Sequence, residues 1–320
     1  MKILIGPNQM QIQRALAEMQ QRYPDVDFDV CTDREKVAEH IADADGYIGF
    51  LDSKTFKAAK NLKWIQSPAS GINSFLDVED LPESDVILCS AAGTHGGSVA
   101  ESAIAMILAF TRGIRASVQA QPEHKWAMSE IRAHNTELGG CTAGLVGFGQ
   151  IGRGLAQRLA GFEMRIIAVD LLPHDKPDYV AELWGLDRLD DLLAESDFVI
   201  TLVPYTEETV DMIGEAELAK MKPTAMLVGM SRGGIINEQA LIKALKNQTI
   251  ACAACDVFAT EPLPTESELW DLPNMLVAAH IAGGTQREFD RIMPIVWENL
   301  DRFIHDQYPL RNQVDKVRGF

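Results

Sequence analysis

Short apolar runs alternate with longer amphipathic segments along almost the whole chain, and this alternation constrains the fold more than any other feature. Residues 2–5, 26–31, 47–50, 63–67 and 86–90 are strand-like, with helical patterns at 11–21 and 34–42 between them. Strands separated by helices must return by crossover, which gives a parallel sheet covered by helices on both faces. A second series opens at Thr142, with strands expected at 142–146, 165–170, 198–203, 225–229, 250–256 and 275–279. These six strands match the number in a full dinucleotide fold. Between the two series, residues 99–112 read VAESAIAMILAFTR, one apolar helix behind the Gly-rich turn 93–97. A last helix, expected over 286–304, turns back to the first series, and the tail 308–320 is expected to pack there. The expected class is therefore α/β with two doubly wound parallel-sheet domains. One comprises 1–98 plus 295–320, and the other, 99–294, is inserted into it.

Gly147, Gly149 and Gly152 form G-x-G-x-x-G directly after an apolar strand and directly before a helix. The first glycine suits a tight turn, the second lets a pyrophosphate approach the backbone, and the third lets helix pack on strand. A helix N-terminus behind such a turn offers N–H groups and a positive dipole end to phosphates. Asp170 ends the next strand 18 residues after Gly152, placed to accept ribose hydroxyls and to repel a 2′-phosphate. NAD is therefore expected rather than NADP, with His174 and Lys176 read as solvated loop residues.

The chain has 320 residues, 47% hydrophobic and 23% charged, which is a globular rather than a disordered balance. Its net charge of −17 repels phosphate backbones and so disfavours nucleic-acid binding. Five cysteines without framework spacing point to a reducing compartment. The N-terminal apolar run is broken by Gly6-Pro7, unlike a signal peptide, and the apolar stretch 103–110 is far short of a membrane span. A cytoplasmic protein is expected, with no membrane and no metal. Cys252 and Cys255 form a C-x-x-C, but residues three apart on a strand face opposite sides, so they are read as buried thiols.

Three segments in the last third carry the chemistry: MSRGGIINEQAL around Arg232, CDVFATEPLP around Glu261 and NMLVAAHIAGGT around His280. With these words in this order, the chain resembles the D-isomer-specific 2-hydroxyacid dehydrogenases, a family that includes glyoxylate/hydroxypyruvate reductases and phosphoglycerate dehydrogenases. The resemblance extends to the tail Leu310-Arg311-Asn312-Gln313-Val314-Asp315. It implies a Rossmann NAD-binding domain inserted into a flavodoxin-like substrate domain. It also implies hydride transfer between NADH and a small 2-keto acid to give the D-2-hydroxy acid.

Reducing such an acid requires a held carboxylate and a proton for the developing alkoxide. By resemblance Arg232 supplies the first through its planar fork, and His280 supplies the second as an acid near neutral pH. Glu261 would bond the other imidazole nitrogen and fix the ring. Singly, each residue also reads as an ordinary surface arginine, turn glutamate or capping histidine; together, on a dinucleotide fold, they read as a site. The resemblance further implies that Ser70 and Gly71 offer N–H groups to the substrate carboxylate, and that Gln150 and Ile151 face the pyrophosphate. Val203, Pro204 and Thr209 would flank the adenosine half, and Gly283 would lie near the nicotinamide. Asp256 either holds the carboxamide or is a strand-end carboxylate facing solvent. His95 either faces the substrate or starts a helix.

The chain departs from the family at Gly229, where Asn is common, and at Ala279, where Pro is usual. Glu261 stands where formate dehydrogenases of this superfamily carry Gln. Leu51 follows Phe50 where phosphoglycerate dehydrogenases tend to place a phosphate-binding Arg, so a glyoxylate- or hydroxypyruvate-like substrate is favoured. A homodimer is expected, through the 99–110 helix and the stretch 121–128 around Trp126. The rival reading is an NAD(H)-sensing corepressor-like binding protein on the same fold.

Overall fold

The computed structural model describes residues 1–319 and divides into two compact units. One is Met1–His95 with the segment from Thr285 onward; the other is Gly96–Gly284.

The first unit is built on β1 (Lys2–Ile5), β2 (Asp27–Val30), β3 (Gly46–Ile48), β4 (Trp64–Gln66) and β5 (Ile87–Cys89). They pair in parallel in the order β2-β1-β3-β4-β5, the flavodoxin-like arrangement. Alternation along each strand fills two cores. Ile3, Ile5, Ile48 and Trp64 face one side, where helix Glu288–Ile304 buries Ile292, Met293, Val296, Leu300 and Phe303 at helical spacing. Leu4, Tyr47, Ile65 and Leu88 face the other. The tail closes the sheet edge: Ser90 N donates to Asn312 O at 3.0 Å and Val314 N to Leu88 O at 2.8 Å.

The second unit holds β6 (Thr142–Val146), β7 (Arg165–Val169), β8 (Glu182–Trp184), β9 (Phe198–Thr201), β10 (Met226–Gly229), β11 (Cys252–Cys255) and β12 (Met275–Val277). The sheet is wholly parallel, in the order β12-β11-β10-β9-β6-β7-β8. Read from the β8 edge this is the doubly wound 3-2-1-4-5-6 order with a seventh strand added. The six strands expected from sequence omit β8. Its three residues run exposed, half-buried, half-buried, too short for a period to show.

The unit bounds differ from those expected. The insertion begins at Gly96 and ends at Gly284, not at 99 and 294. The linking helix starts at Gly96, and Pro294 sits inside helix Glu288–Ile304, from which Ile292, Met293, Val296, Leu300 and Phe303 join the first unit's core. The apolar helix Gly96–Thr111 buries much of its apolar surface within its own unit. Val99, Ala100, Ala103, Ile104, Met106 and Ile107 are consumed by the second unit's own core, against helix Gln150–Ala160. The two cysteines of β11 divide as their spacing requires, Cys255 in one core and Cys252 against the other.

Candidate active site

Register brings the second unit's chemistry to one edge. Val146 pairs with Val169 and Thr201, Thr201 with Gly229, Gly229 with Cys255, and Cys255 with Val277. The carboxyl ends of six strands are therefore level, and Gly147, Asp170, Val203, Arg232, Asp256 and His280 all leave from that row. In open α/β sheets this edge is where ligands bind.

The three glycines meet different surroundings. Gly147 has φ 102°, and a β-carbon there would lie 2.9 Å from the main chain of Leu202 and Val203. A β-carbon on Gly152 would lie 2.6 Å from Gly147 O, so helix and turn touch. At Gly149 a β-carbon would meet nothing within 4 Å. The turn is thus closed behind and open in front, as a pyrophosphate requires. Gln150, Ile151 and Gly152 are the first residues of helix Gln150–Ala160, so their N–H groups have no intrahelical partner. The residues present fit a dinucleotide.

Asp170 is half-buried. Its Oδ2 accepts from Phe148 N at 2.6 Å and its Oδ1 from Leu172 N at 3.0 Å, which ties the glycine turn to the end of β7. Each oxygen keeps a further lone pair for a ribose hydroxyl. His174 Nδ1 donates to Leu172 O at 2.6 Å and Lys176 Nζ to Val180 O at 2.8 Å, so both are engaged with main chain. Arg153 lies over the Phe148 ring at 4.8 Å and donates to the carbonyls of His174 and Asp175. Val203 is buried, and the Thr209 hydroxyl donates to Pro204 O at 2.7 Å and accepts from Thr206 N, closing that loop on itself.

The Arg, Glu and His come from three loops of this edge. His280 Nδ1 lies 2.6 Å from Glu261 Oε2, and Glu261 Oε1 accepts from Phe258 N at 2.9 Å. Nδ1 is therefore the protonated nitrogen of the neutral ring, and Nε2 makes no hydrogen bond among the described residues. Arg232 donates to Ser231 O at 2.7 Å. Burial pushes its pKa down while the nearby Glu261 charge opposes the shift, and an arginine stays charged regardless. The edge thus combines a fixed imidazole with a partly desolvated cation, suited to a carboxylate beside a group gaining a proton.

Asp256 does not face solvent. It is 2% exposed, and its two oxygens accept from Ile281 N and Ala282 N, each at 2.9 Å. It clamps the turn that presents His280, a role with no pattern in the sequence. Gly283 O accepts from Ser98 Oγ at 3.2 Å. The departure at Gly229 has a local cause, because a β-carbon there would lie 2.9 Å from Cys255 Sγ and 3.0 Å from Ile236 Cδ1.

In the first unit, Ser70 and Gly71 follow β4 and Leu51 follows β3, on the level row Ile48, Gln66 and Cys89. Leu51 is half-buried beside Phe50, which stacks on Phe75 at 5.9 Å. Ser70 Oγ donates to Ala91 O at 2.9 Å and lies 2.7 Å from His95 Nδ1. Thr94 Oγ1, also donating to Ala91 O, lies 2.9 Å from the same nitrogen. His95 therefore braces the Ser70 loop immediately before helix Gly96–Thr111 begins.

Comparison with known proteins gives the chain's family. The model of the D-isomer specific 2-hydroxyacid dehydrogenase NAD binding domain matches residues 104–282, more than half of the chain. A glyoxylate reductase of Korarchaeum cryptofilum is 35% identical over 296 residues, covering 89% of this chain and 88% of that protein. Among solved structures, a D-isomer specific 2-hydroxyacid dehydrogenase family protein from Aeromonas salmonicida superposes with a TM-score of 0.85 at 25% identity, covering 98% of both chains. An NADPH-dependent glyoxylate/hydroxypyruvate reductase from Sinorhizobium meliloti reaches 0.86 over the full length of both chains; at 24% identity that likeness speaks for the fold alone.

Proposed function

The chain belongs to the D-isomer-specific 2-hydroxyacid dehydrogenase family, and from that membership we propose that it reduces a small 2-keto acid to the D-2-hydroxy acid with NADH, on a substrate like glyoxylate or hydroxypyruvate. At the coarser level it is an NAD(P)-dependent oxidoreductase of small keto acids. The observation that carries the finer reading is the 2.6 Å pairing of His280 with Glu261, which leaves Nε2 available, with Arg232 close enough for Glu261 to act on its charge.

When bound, the nicotinamide supplies the hydride. In the second unit Arg232 holds the substrate carboxylate; the family resemblance gives the N–H groups of Ser70 and Gly71 in the first unit the same kind of partner. His280, held by Glu261 through Nδ1–H, acts as the imidazolium and gives its Nε2 proton to the carbonyl oxygen as negative charge develops there, leaving the neutral ring; in the reverse direction the neutral ring takes that proton back on Nε2. Leu51 supplies an apolar wall where a phosphorylated substrate would need a cation. Gly147, Gly149, Gln150, Ile151 and Gly152 hold the pyrophosphate, with Val203, Pro204 and Thr209 beside the adenosine.

NAD is preferred in this reading because the Asp170 carboxylate repels a 2′-phosphate and the neighbouring His174 and Lys176 are bonded to carbonyls. The protein works as a cytoplasmic homodimer, with neither nucleic acid nor membrane as partner. A kcat/KM panel of 2-keto acids with NADH and with NADPH tests the reaction. NADH should be consumed with glyoxylate or hydroxypyruvate, and faster than NADPH. Activity confined to 3-phosphohydroxypyruvate would overturn the substrate class. Tight NADH binding without turnover of any 2-keto acid would replace the enzyme by a sensor.

A further inference from the structure

We propose that Glu238 is a positioning residue for the Glu261–His280 pair, acting through the main chain of the loop that carries Glu261. Glu238 opens helix Glu238–Lys246, whose cap is Asn237 Oδ1 accepting from Ala240 N at 2.9 Å. A first-turn glutamate ordinarily faces solvent and complements its own helix dipole. Here Oε1 reaches out of the helix and accepts from Ala259 N at 2.6 Å. The adjacent amide, Phe258 N, donates to Glu261 Oε1 at 2.9 Å, and Glu261 Oε2 lies 2.6 Å from His280 Nδ1. Neighbouring N–H groups of one loop therefore end on two carboxylates, one rooted in a helix and the other holding the imidazole.

The turn after Arg232 presses on the same loop, since a β-carbon on Gly233 would lie 1.9 Å from Phe258 O. With main chain in direct contact on that side, the Ala259 bond fixes the loop's remaining freedom. Glu238 thus sets where Glu261 stands, and Glu261 sets the rotation of the His280 ring. Charged-group hydrogen bonds to main-chain amides are strong enough to hold a loop in this way.

The proposal rests on His280 as the proton donor, and the experiment separates the two ideas. Glu238→Ala, Glu238→Gln, Glu261→Ala and the double variant Glu238→Ala/Glu261→Ala are assayed with NADH and glyoxylate. Amide hydrogen exchange across 257–261 is followed in parallel. Glu238→Ala should lower kcat about tenfold, with KM for the keto acid within about twofold, because geometry rather than substrate binding is lost. Glu238→Gln keeps an acceptor oxygen and should recover most of the rate. In the Glu261→Ala background, Glu238→Ala should cost little more, since its effect travels through Glu261. Exchange at residues 258 and 259 should quicken in Glu238→Ala while the rest of the unit is unchanged. Additive losses, or unchanged exchange at 258 and 259, overturn the proposal. If the wild-type protein turns over no 2-keto acid, the functional reading fails, and the exchange measurement alone still decides whether Glu238 holds the loop.

Discussion

His280 adopts φ 53°, a left-handed conformation that residues with a β-carbon visit sparingly. It persists because it is held from two sides: Glu261 bonds the ring, and Asp256 bonds the next two main-chain amides. The histidine is therefore aimed rather than merely present, and its replacement separates chemistry from binding. His280→Gln should lower kcat by about 10²–10⁴-fold while NADH affinity changes little. Arg232→Lys keeps the charge but loses the planar fork, so KM for the keto acid should rise on the order of tenfold. Steady-state kinetics on both variants checks this; unchanged kcat in His280→Gln would remove the histidine from the reaction. At this scale the Arg, Glu and His stand out in the sequence because each side chain has a chemistry of its own and sits in a distinctive word. Glu238 and Asp256 were not readable in these roles. Each acts on a main-chain N–H distant in sequence, 21 residues away for Glu238 and 25 and 26 for Asp256, and such amides carry no residue signature.

The strand-turn-helix of residues 142–160 is the element where local pattern and tertiary setting agree most closely. Gly149 and Gly152, to which the glycine pattern gives different tasks, also meet different surroundings in the fold. Gly149 has φ −71° and ψ −158°, an extended conformation open to alanine, with no atom within 4 Å of a β-carbon. Gly149→Ala should leave the melting temperature unchanged or slightly raised, since a compatible Gly→Ala change gains roughly 0.4–1 kcal/mol. It should still weaken NADH binding severalfold by standing where the pyrophosphate approaches. Gly152→Ala must push the helix off Gly147 O and should lower both stability and affinity. Thermal melts with NADH titrations distinguish the pair, and equal loss of stability in both would contradict the assignment of the open side. The strand β8 shows the opposite case. Its three residues exist as a strand only because β7 offers a free edge, with Val169 pairing Trp184, and nothing local announces it.

For the whole molecule, sequence order and spatial order part company at the return of the chain. Asn299 is fully buried in the first unit, donating to Gln66 Oε1 at 2.7 Å and Arg311 O at 3.0 Å and accepting from Arg311 N at 2.7 Å. One amide thereby joins strand β4, the helix that follows the insertion, and the tail. Lys316 extends this clasp, its Nζ donating to the carbonyls of Leu81 and Val86. The alternation of strands and helices foretold two sheets and an insertion; it could not foretell such ties, which depend on polar groups meeting in three dimensions.

Dimerisation belongs to the same scale. Of the two candidate surfaces read from sequence, the helix Gly96–Thr111 buries its apolar face in its own unit. The stretch 121–128 does not. Trp126 and Met128 are 90% and 57% exposed, and just before that stretch Ile114 and Val118 are 55% and 59% exposed; Trp126 lies in the loop between the short helices Ile114–Ala120 and Met128–Arg132, which bury none of their own residues. A chain carrying −17 stays soluble by repulsion, so copies associate only where apolar area outweighs that repulsion. Stable interfaces bury roughly 800 Å² per partner and take most of their affinity from aromatic anchors. Trp126, almost wholly exposed, is the anchor such an interface would use. In the proposed homodimer, Val118→Asp with Trp126→Asp should therefore leave only monomer on a sizing column. Its melting temperature should match that of the wild type diluted to the same state, because neither side chain supports its own unit. A wild-type protein that elutes as a monomer at every concentration would end the proposal. A double variant that remains dimeric would move the interface away from 114–128.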